Sequence, residues 1–118
     1  RLWNDLFASI TVGALWGVWH LPLFFMVGTS HNTQQVPFIG FFFGVIAISI
    51  IMTWLFAKTG GSIWSAILFH WLYTYAMQVT NSGVTRSAEY NWLEYTPYLA
   101  VAAILVAVWK PHRARTGC

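Results

Sequence analysis

The sequence has few charged residues and almost no cysteine. Only 8% of its 118 residues are charged, three of them acidic and six basic, whereas soluble domains average about 25%. So few charges cannot cover a water-facing surface, and the high hydrophobicity excludes intrinsic disorder. The single cysteine, Cys118, excludes a disulfide scaffold and a cysteine-rich metal cluster. A basic patch with interleaved polar groups is also missing, which argues against a nucleic-acid partner.

Apolar residues dominate instead, and they form long uncharged runs. Hydrophobic residues make up 58% of the chain and aromatic residues 19%. The 52 positions between Asp5 and Lys58 carry no charge, nor do the 27 positions between Lys58 and Arg86. Because a transmembrane helix needs about 20 apolar residues, the first run accommodates two spans and the second one. A fourth apolar stretch runs from Trp92 to Trp109.

Turn residues separate these stretches and set the helix boundaries. Pro22 is expected to kink or end the first helix just after His20, because proline lacks a backbone donor. Gly60 and Gly61 are typical of a helix C-terminus. The predicted helices cover residues 6–27, 37–57, 62–79 and 93–109.

The positive charges predict how the spans are oriented. Four spans place five basic residues on one side and only Arg86 on the other, so both termini should be cytoplasmic. We therefore expect an all-α polytopic membrane helical bundle, multi-pass in a prokaryotic plasma membrane, with the lipid bilayer as its partner. Residues 1–118 would form one membrane domain, with a basic cytoplasmic tail at 110–118. The five basic residues are Arg1, Lys58, Lys110, Arg113 and Arg115, and the aromatic residues expected at the membrane interfaces include Trp54, Tyr95 and Trp109.

Two histidines, His20 and His70, lie within predicted spans. Ionisable side chains at membrane depth are costly and point to function. His20 shares a helical face with Gly13 and Gly17, a pair of small residues that lets a neighbouring helix approach closely. Trp16 lies one turn earlier and can shield the imidazole.

His70 lies on one stripe with Ala66 and Thr74. The Thr74 hydroxyl is suited to orienting the His70 ring or a bound water. The alternative for both span histidines is a packing role, with the ring satisfied by a carbonyl. Two further sets of residues are expected to play no part in a site: His31 and His112 as solvated side chains, and Gly40, Gly44, Ala47 and Ile51 as a packing stripe.

Two segments resemble a known family. They are Trp16-x-x-x-His20 followed by Leu-Pro, and the stretch 61–70 that ends in His70. They are similar to the CPBP family of intramembrane metalloproteases, which includes CAAX proteases and bacteriocin-processing (Abi) enzymes. Members carry paired glutamates, then FxxxH, then a histidine followed four residues later by a small polar residue. Here Trp16 replaces phenylalanine and Thr74 replaces asparagine, and the resemblance covers residues 6–74.

The paired glutamates of the family are absent, since Glu89 and Glu94 follow His70 and are not assigned to that motif. The chain begins with Arg1 rather than methionine, so we expect the glutamates upstream in a longer protein. The resemblance implies a metal-dependent endopeptidase that hydrolyses a membrane-associated, hydrophobic or lipidated peptide. It implies His20 and His70 as ligands of a divalent metal, Zn²⁺, with Thr74 and Trp16 as catalytic residues. The 118 residues alone are then expected to be inactive.

Two other functions stay open at this point. Two histidines on neighbouring spans also suit a bis-histidine haem b protein. A non-enzymatic membrane immunity or scaffold module would need no catalytic acid at all.

Overall fold

The computed structural model describes residues 2–33, 36–81 and 88–109, and these residues form helices joined by short turns. The elements, in chain order, are α1 (Leu2–Trp19), a 3₁₀ turn (Leu21–Phe24), α2 (Ser30–Thr33), α3 (Phe38–Lys58), α4 (Ile63–Asn81) and α5 (Ala88–Val108).

The four long helices overlap the predicted ones, with two clear differences: α5 begins at Ala88 rather than at residue 93, and the first helix ends early. The first helix ends at Trp19, not at residue 27, and a 3₁₀ turn that begins at Leu21 and contains Pro22 follows it. Proline cannot donate the hydrogen bond that would continue the helix, so the break falls beside His20 as expected. Gly60 and Gly61, with φ of 72° and 88°, adopt the left-handed conformation that ends α3.

Helix α3 is the centre of the bundle. Helices α1, α4 and α5 all pack against it, and it is the most apolar helix, with a mean hydropathy of 2.3. The predicted packing stripe is confirmed, because Gly40, Gly44, Ala47 and Ile51 are all buried.

Helices α1 and α3 approach closely through the predicted small residues. A Cβ on Gly13 would lie 2.7 Å from the Ile46 Cα atom, so a larger residue would force the backbones apart. The buried Ser49 hydroxyl donates a hydrogen bond of 2.8 Å to the Ser9 carbonyl across the same interface. This contact holds the face of α1 that carries Trp16 and His20 against α3.

Two of the aromatic residues expected at a membrane interface are buried within the bundle. Tyr95 is only 6% exposed and Trp109 only 7%. Because Gly44 lacks a side chain, the Tyr95 ring packs directly over it, and a Cβ there would collide with the ring. Trp109 packs with Ala47 and Ala102, where α5 meets α3.

The outer surface is strongly apolar. Two helical segments, Asn4–Phe24 and Phe38–Lys58, are long and apolar enough to cross a membrane, and the apolar part of α5, Glu94–Val108, is shorter. Large side chains point outward from α1 and α4, among them Trp19, 81% exposed, and Trp64, 74% exposed. Contiguous apolar surface of this kind marks a face that contacts lipid or another protein.

Candidate active site

A cavity of about 340 Å³ lies between α1, α3, α4 and α5, next to α2. All four residues that the sequence proposes for the site line it. Apolar side chains from the central helix contribute to the same lining, namely Phe41, Val45 and Ile48. The four proposed residues, whose roles stay predictions, are Trp16, His20, His70 and Thr74.

His20 lies directly after the last residue of α1. Its ring Nδ1 lies 2.8 Å from the Trp16 carbonyl oxygen. Since a carbonyl only accepts, Nδ1 carries the proton of the neutral ring and Nε2 keeps its lone pair. The ring also packs on Phe41, with 5.3 Å between centroids. One nitrogen of His20 is therefore fixed by the backbone and the other is left for a ligand.

Trp16 connects the two predicted ligands. Its ring meets His70 edge-on at 5.1 Å between centroids and meets His20 at 6.0 Å. The Trp16 ring therefore contacts both imidazoles, one from α4 and one from the residue that follows α1. The shielding role of Trp16 stays a prediction.

Thr74 lies on the cavity wall, one turn beyond His70 on α4. Its hydroxyl donates a hydrogen bond of 2.9 Å to the His70 carbonyl rather than to the His70 ring. Because the single hydroxyl proton is used there, the oxygen presents its lone pairs as acceptors. Thr74 is therefore arranged to accept a hydrogen bond from a water in the cavity.

The expectation that His31 is solvated is wrong. His31 is partly buried and lines the cavity. Its ring lies 5.0 Å from Phe41 and 5.9 Å from His20, centroid to centroid. Burial, and secondly the nearby His20, lower the pKa of His31, which favours the neutral imidazole.

Local hydrogen bonds explain why the polar loop folds back over the cavity. The Asn32 side-chain amide donates to the Phe24 carbonyl at 2.9 Å. The Thr29 hydroxyl accepts a hydrogen bond of 3.3 Å from the Asn32 backbone N–H. These bonds fold the chain back at Gly28, with φ of 90°, and carry His31 onto the site. The Thr and Asn residues are typical turn formers, but nothing in their pattern indicates the direction of the turn.

Glu94 is a second cavity residue that the sequence analysis leaves out. It lies on α5 and lines the same cavity as His20 and His70. Its position after His70 in the chain excluded it from the family motif, but α5 packs against α3 and Glu94 lines the cavity. The sequence feature that could have indicated Glu94 is a carboxylate near the start of the otherwise uncharged stretch from Trp92 to Trp109. His112, the side chain of Glu89 and the basic tail lie outside the described residues.

The donor set fits a divalent metal only in part. Neutral imidazoles are suitable ligands for zinc, and metal-binding histidines commonly fix their other nitrogen on a carbonyl, as His20 does. Catalytic zinc sites, however, use three protein ligands. Among residues 2–33, 36–81 and 88–109, no three His, Cys, Asp or Glu side chains are arranged to hold a metal ion.

A helical bundle with an apolar exterior and a histidine-lined cavity is compatible with a membrane-embedded enzyme. A family model described as type II CAAX prenyl endopeptidase Rce1-like matches residues 1–76. The chain belongs to this family, whose members are membrane-embedded CAAX proteases, and the resemblance seen in the sequence is confirmed. The matched region contains Trp16, His20, His70 and Thr74, whereas Glu94 lies beyond it.

A relative supports the same assignment. The chain is 39% identical over 70 residues to "CAAX prenyl protease 2" of Methanococcus maripaludis. The match covers 55% of this chain and 26% of that protein, so the chain spans about a quarter of the relative's length. No solved structure matches the chain significantly.

Proposed function

We propose that this chain is the histidine-bearing part of a metal-dependent intramembrane endopeptidase that hydrolyses a peptide bond in a membrane-associated, hydrophobic or lipidated substrate. One observation carries the proposal. His20 and His70, 50 positions apart in the chain, line one cavity and contact the same Trp16 ring. Both lie in the region that matches the CAAX endopeptidase family.

We propose His20, through Nε2, and His70 as two ligands of a Zn²⁺-like ion. When bound, such an ion polarises a carbonyl and supplies a reactive water at neutral pH. The third protein ligand would be an acidic residue outside the described residues, which is the role that the paired glutamates of the family suggest.

The described residues provide the surroundings of that chemistry. Trp16 packs against both imidazoles and keeps bulk water from them. Thr74 offers acceptor lone pairs to a water in the cavity, because its proton is bound to the His70 carbonyl. Phe41, Val45 and Ile48 form an apolar surface for the hydrophobic side chains of a substrate.

The membrane arrangement is part of the proposal. We propose that α1, α3, α4 and α5 all cross the bilayer, with both termini in the cytoplasm. The positive-inside bias of the sequence supports this orientation. The outward-facing aromatic side chains of α4, such as Trp64 and Trp71, support lipid contact along that helix.

The test uses the full-length protein in lipid nanodiscs with a membrane-anchored reporter peptide, lipidated or not. His20→Gln and His70→Gln should each lower kcat/KM at least about 100-fold, and a chelator should abolish cleavage until Zn²⁺ is restored. His112→Gln is the matched control and should cleave normally. Undiminished cleavage by His20→Gln or His70→Gln, or cleavage indifferent to chelation, would contradict the proposal.

A further inference from the structure

Glu94 is a carboxylate of the cavity wall to which the proposed function gives no role. It lies on α5 and is partly buried. Among the described residues it is the only carboxylate that lines the cavity, and no described lysine or arginine lines it. Ionisable side chains in membrane helices are costly and commonly face the path of a substrate or an ion. This position makes Glu94 a candidate for contact with the substrate.

The helix that carries Glu94 does not account for its charge. A carboxylate stabilises a helix through the backbone dipole only when it lies within the first turn. Helix α5 begins at Ala88, so Glu94 lies in its second turn. The stability of α5 alone therefore does not explain a carboxylate at this position.

We propose that Glu94 is a specificity-determining residue, which binds the ammonium or guanidinium group of a lysine or arginine side chain near the scissile bond of the substrate. The inference rests on the proposed function, since it concerns the substrate of the same cavity. It adds one charged side chain to the hydrophobic ones proposed to contact Phe41, Val45 and Ile48.

The electrostatics of the cavity favour a cation at this point. Apolar side chains form much of the wall, and charges interact more strongly beside apolar groups than in water. A hydrogen bond from lysine or arginine to a carboxylate is about twice as strong as a neutral one, whereas an anionic side chain would be repelled. A carboxylate has about four acceptor sites, so Glu94 can accept a substrate donor in addition to its neighbours in the protein.

Aromatic rings of the cavity suit the same ligand. Tyr73 and Tyr95 line the cavity together with Glu94, and aromatic faces attract ammonium and guanidinium groups within about 6 Å of the ring centre. Tyr98 packs edge-on against Tyr73 at 5.2 Å between centroids, and Phe41 packs edge-on against Tyr95 at 6.3 Å. A carboxylate and two supported aromatic rings are therefore available to one cationic side chain.

The experiment measures the charge selectivity of the full-length protein in lipid nanodiscs of one fixed composition. Membrane-anchored reporter peptides carry lysine, norleucine or glutamate at each position that flanks the cleavage site in turn. For at least one position, the parent protein should cleave the lysine reporter with a kcat/KM about tenfold or more above that of the norleucine reporter. Glu94→Gln should remove this preference, and Glu94→Lys should favour the glutamate reporter.

Two further variants separate charge recognition from a structural role. Glu94→Asp keeps the charge on a shorter side chain and should retain part of the lysine preference. Asp5→Asn is the matched control, because Asp5 is a carboxylate of α1 that does not line the cavity. Its lysine preference should equal that of the parent protein.

Equal cleavage of the lysine and norleucine reporters by the parent protein at every position would overturn the inference, as would a lysine preference that survives in Glu94→Gln. Equal loss of cleavage of all three reporters in both Glu94→Gln and Glu94→Asp would also overturn it, because the carboxylate would then not distinguish substrate charge. The proposed function is decided separately, since His20→Gln and His70→Gln should lose cleavage of every reporter. A protein that fails only the Glu94 measurements therefore remains a candidate endopeptidase with a different selectivity.

Discussion

The substitution Gly13→Ala tests the packing that holds the site together. The added Cβ would lie 2.7 Å from the Ile46 Cα atom and 3.1 Å from the Ser49 Cβ atom. Carbon atoms pack best at about 3.5–4.0 Å, so α1 would have to move away from α3 by roughly 1 Å. Backbone atoms cannot rotate out of the way as a side chain can.

The expected loss of stability follows from these contacts. Overpacking costs about 1–3 kcal/mol. The same movement would lengthen the 2.8 Å hydrogen bond from Ser49 to the Ser9 carbonyl beyond normal range, at about 0.5–1.5 kcal/mol. Alanine recovers about 1 kcal/mol of helix propensity relative to glycine. We therefore expect Gly13→Ala to be destabilised by about 1–3 kcal/mol.

The assay is reversible unfolding in mixed micelles with increasing SDS, followed by circular dichroism. Ala8→Leu, on the exposed side of α1, is the control and should unfold like the parent protein. Because Gly13→Ala and Ser49→Ala disturb the same contact, the double variant should lose less than the sum of the two. A Gly13→Ala protein as stable as the parent, or strict additivity with Ser49→Ala, would refute the close approach of α1 and α3.

Three further outcomes are expected. Gly44→Ala should displace the Tyr95 ring that packs over it and lower the free energy of unfolding by about 1–3 kcal/mol in the same assay. An unchanged free energy of unfolding would mean that α5 does not pack against α3 at this position. Thr74→Val should lower kcat about tenfold or more with little change in KM, because valine keeps the shape of threonine but lacks the acceptor oxygen. Thr74→Ser, which keeps the hydroxyl, should have near-normal activity, and equal activities of the two variants would exclude a role for the hydroxyl. Asn32→Leu should remove the hydrogen bond to the Phe24 carbonyl and speed hydrogen exchange of the α2 backbone amides by about fivefold or more. Unchanged exchange rates would show that this bond does not hold α2 in place.

Many features of the molecule could be predicted from local sequence. Helix positions follow from the lengths of the uncharged runs, and the break after His20 follows from Pro22, since both depend on residues close together in the chain. The small pair Gly13 and Gly17 indicated a close helix contact, because few residue types permit one. His20 and His70 were recognisable because ionisable residues are rare in apolar helices.

Only the tertiary structure decided which residues share the cavity. His31 belongs to a polar loop whose composition equally suits exposure to water, and its place beside His20 depends on hydrogen bonds that reverse the chain. Glu94 reaches the cavity because α5 packs back along α3. Tyr95 is buried within the bundle because Gly44, far away in the chain, leaves room for its ring. Sequence periodicity specifies the face of one helix, whereas a site assembled from several helices depends on long-range packing that no local pattern records.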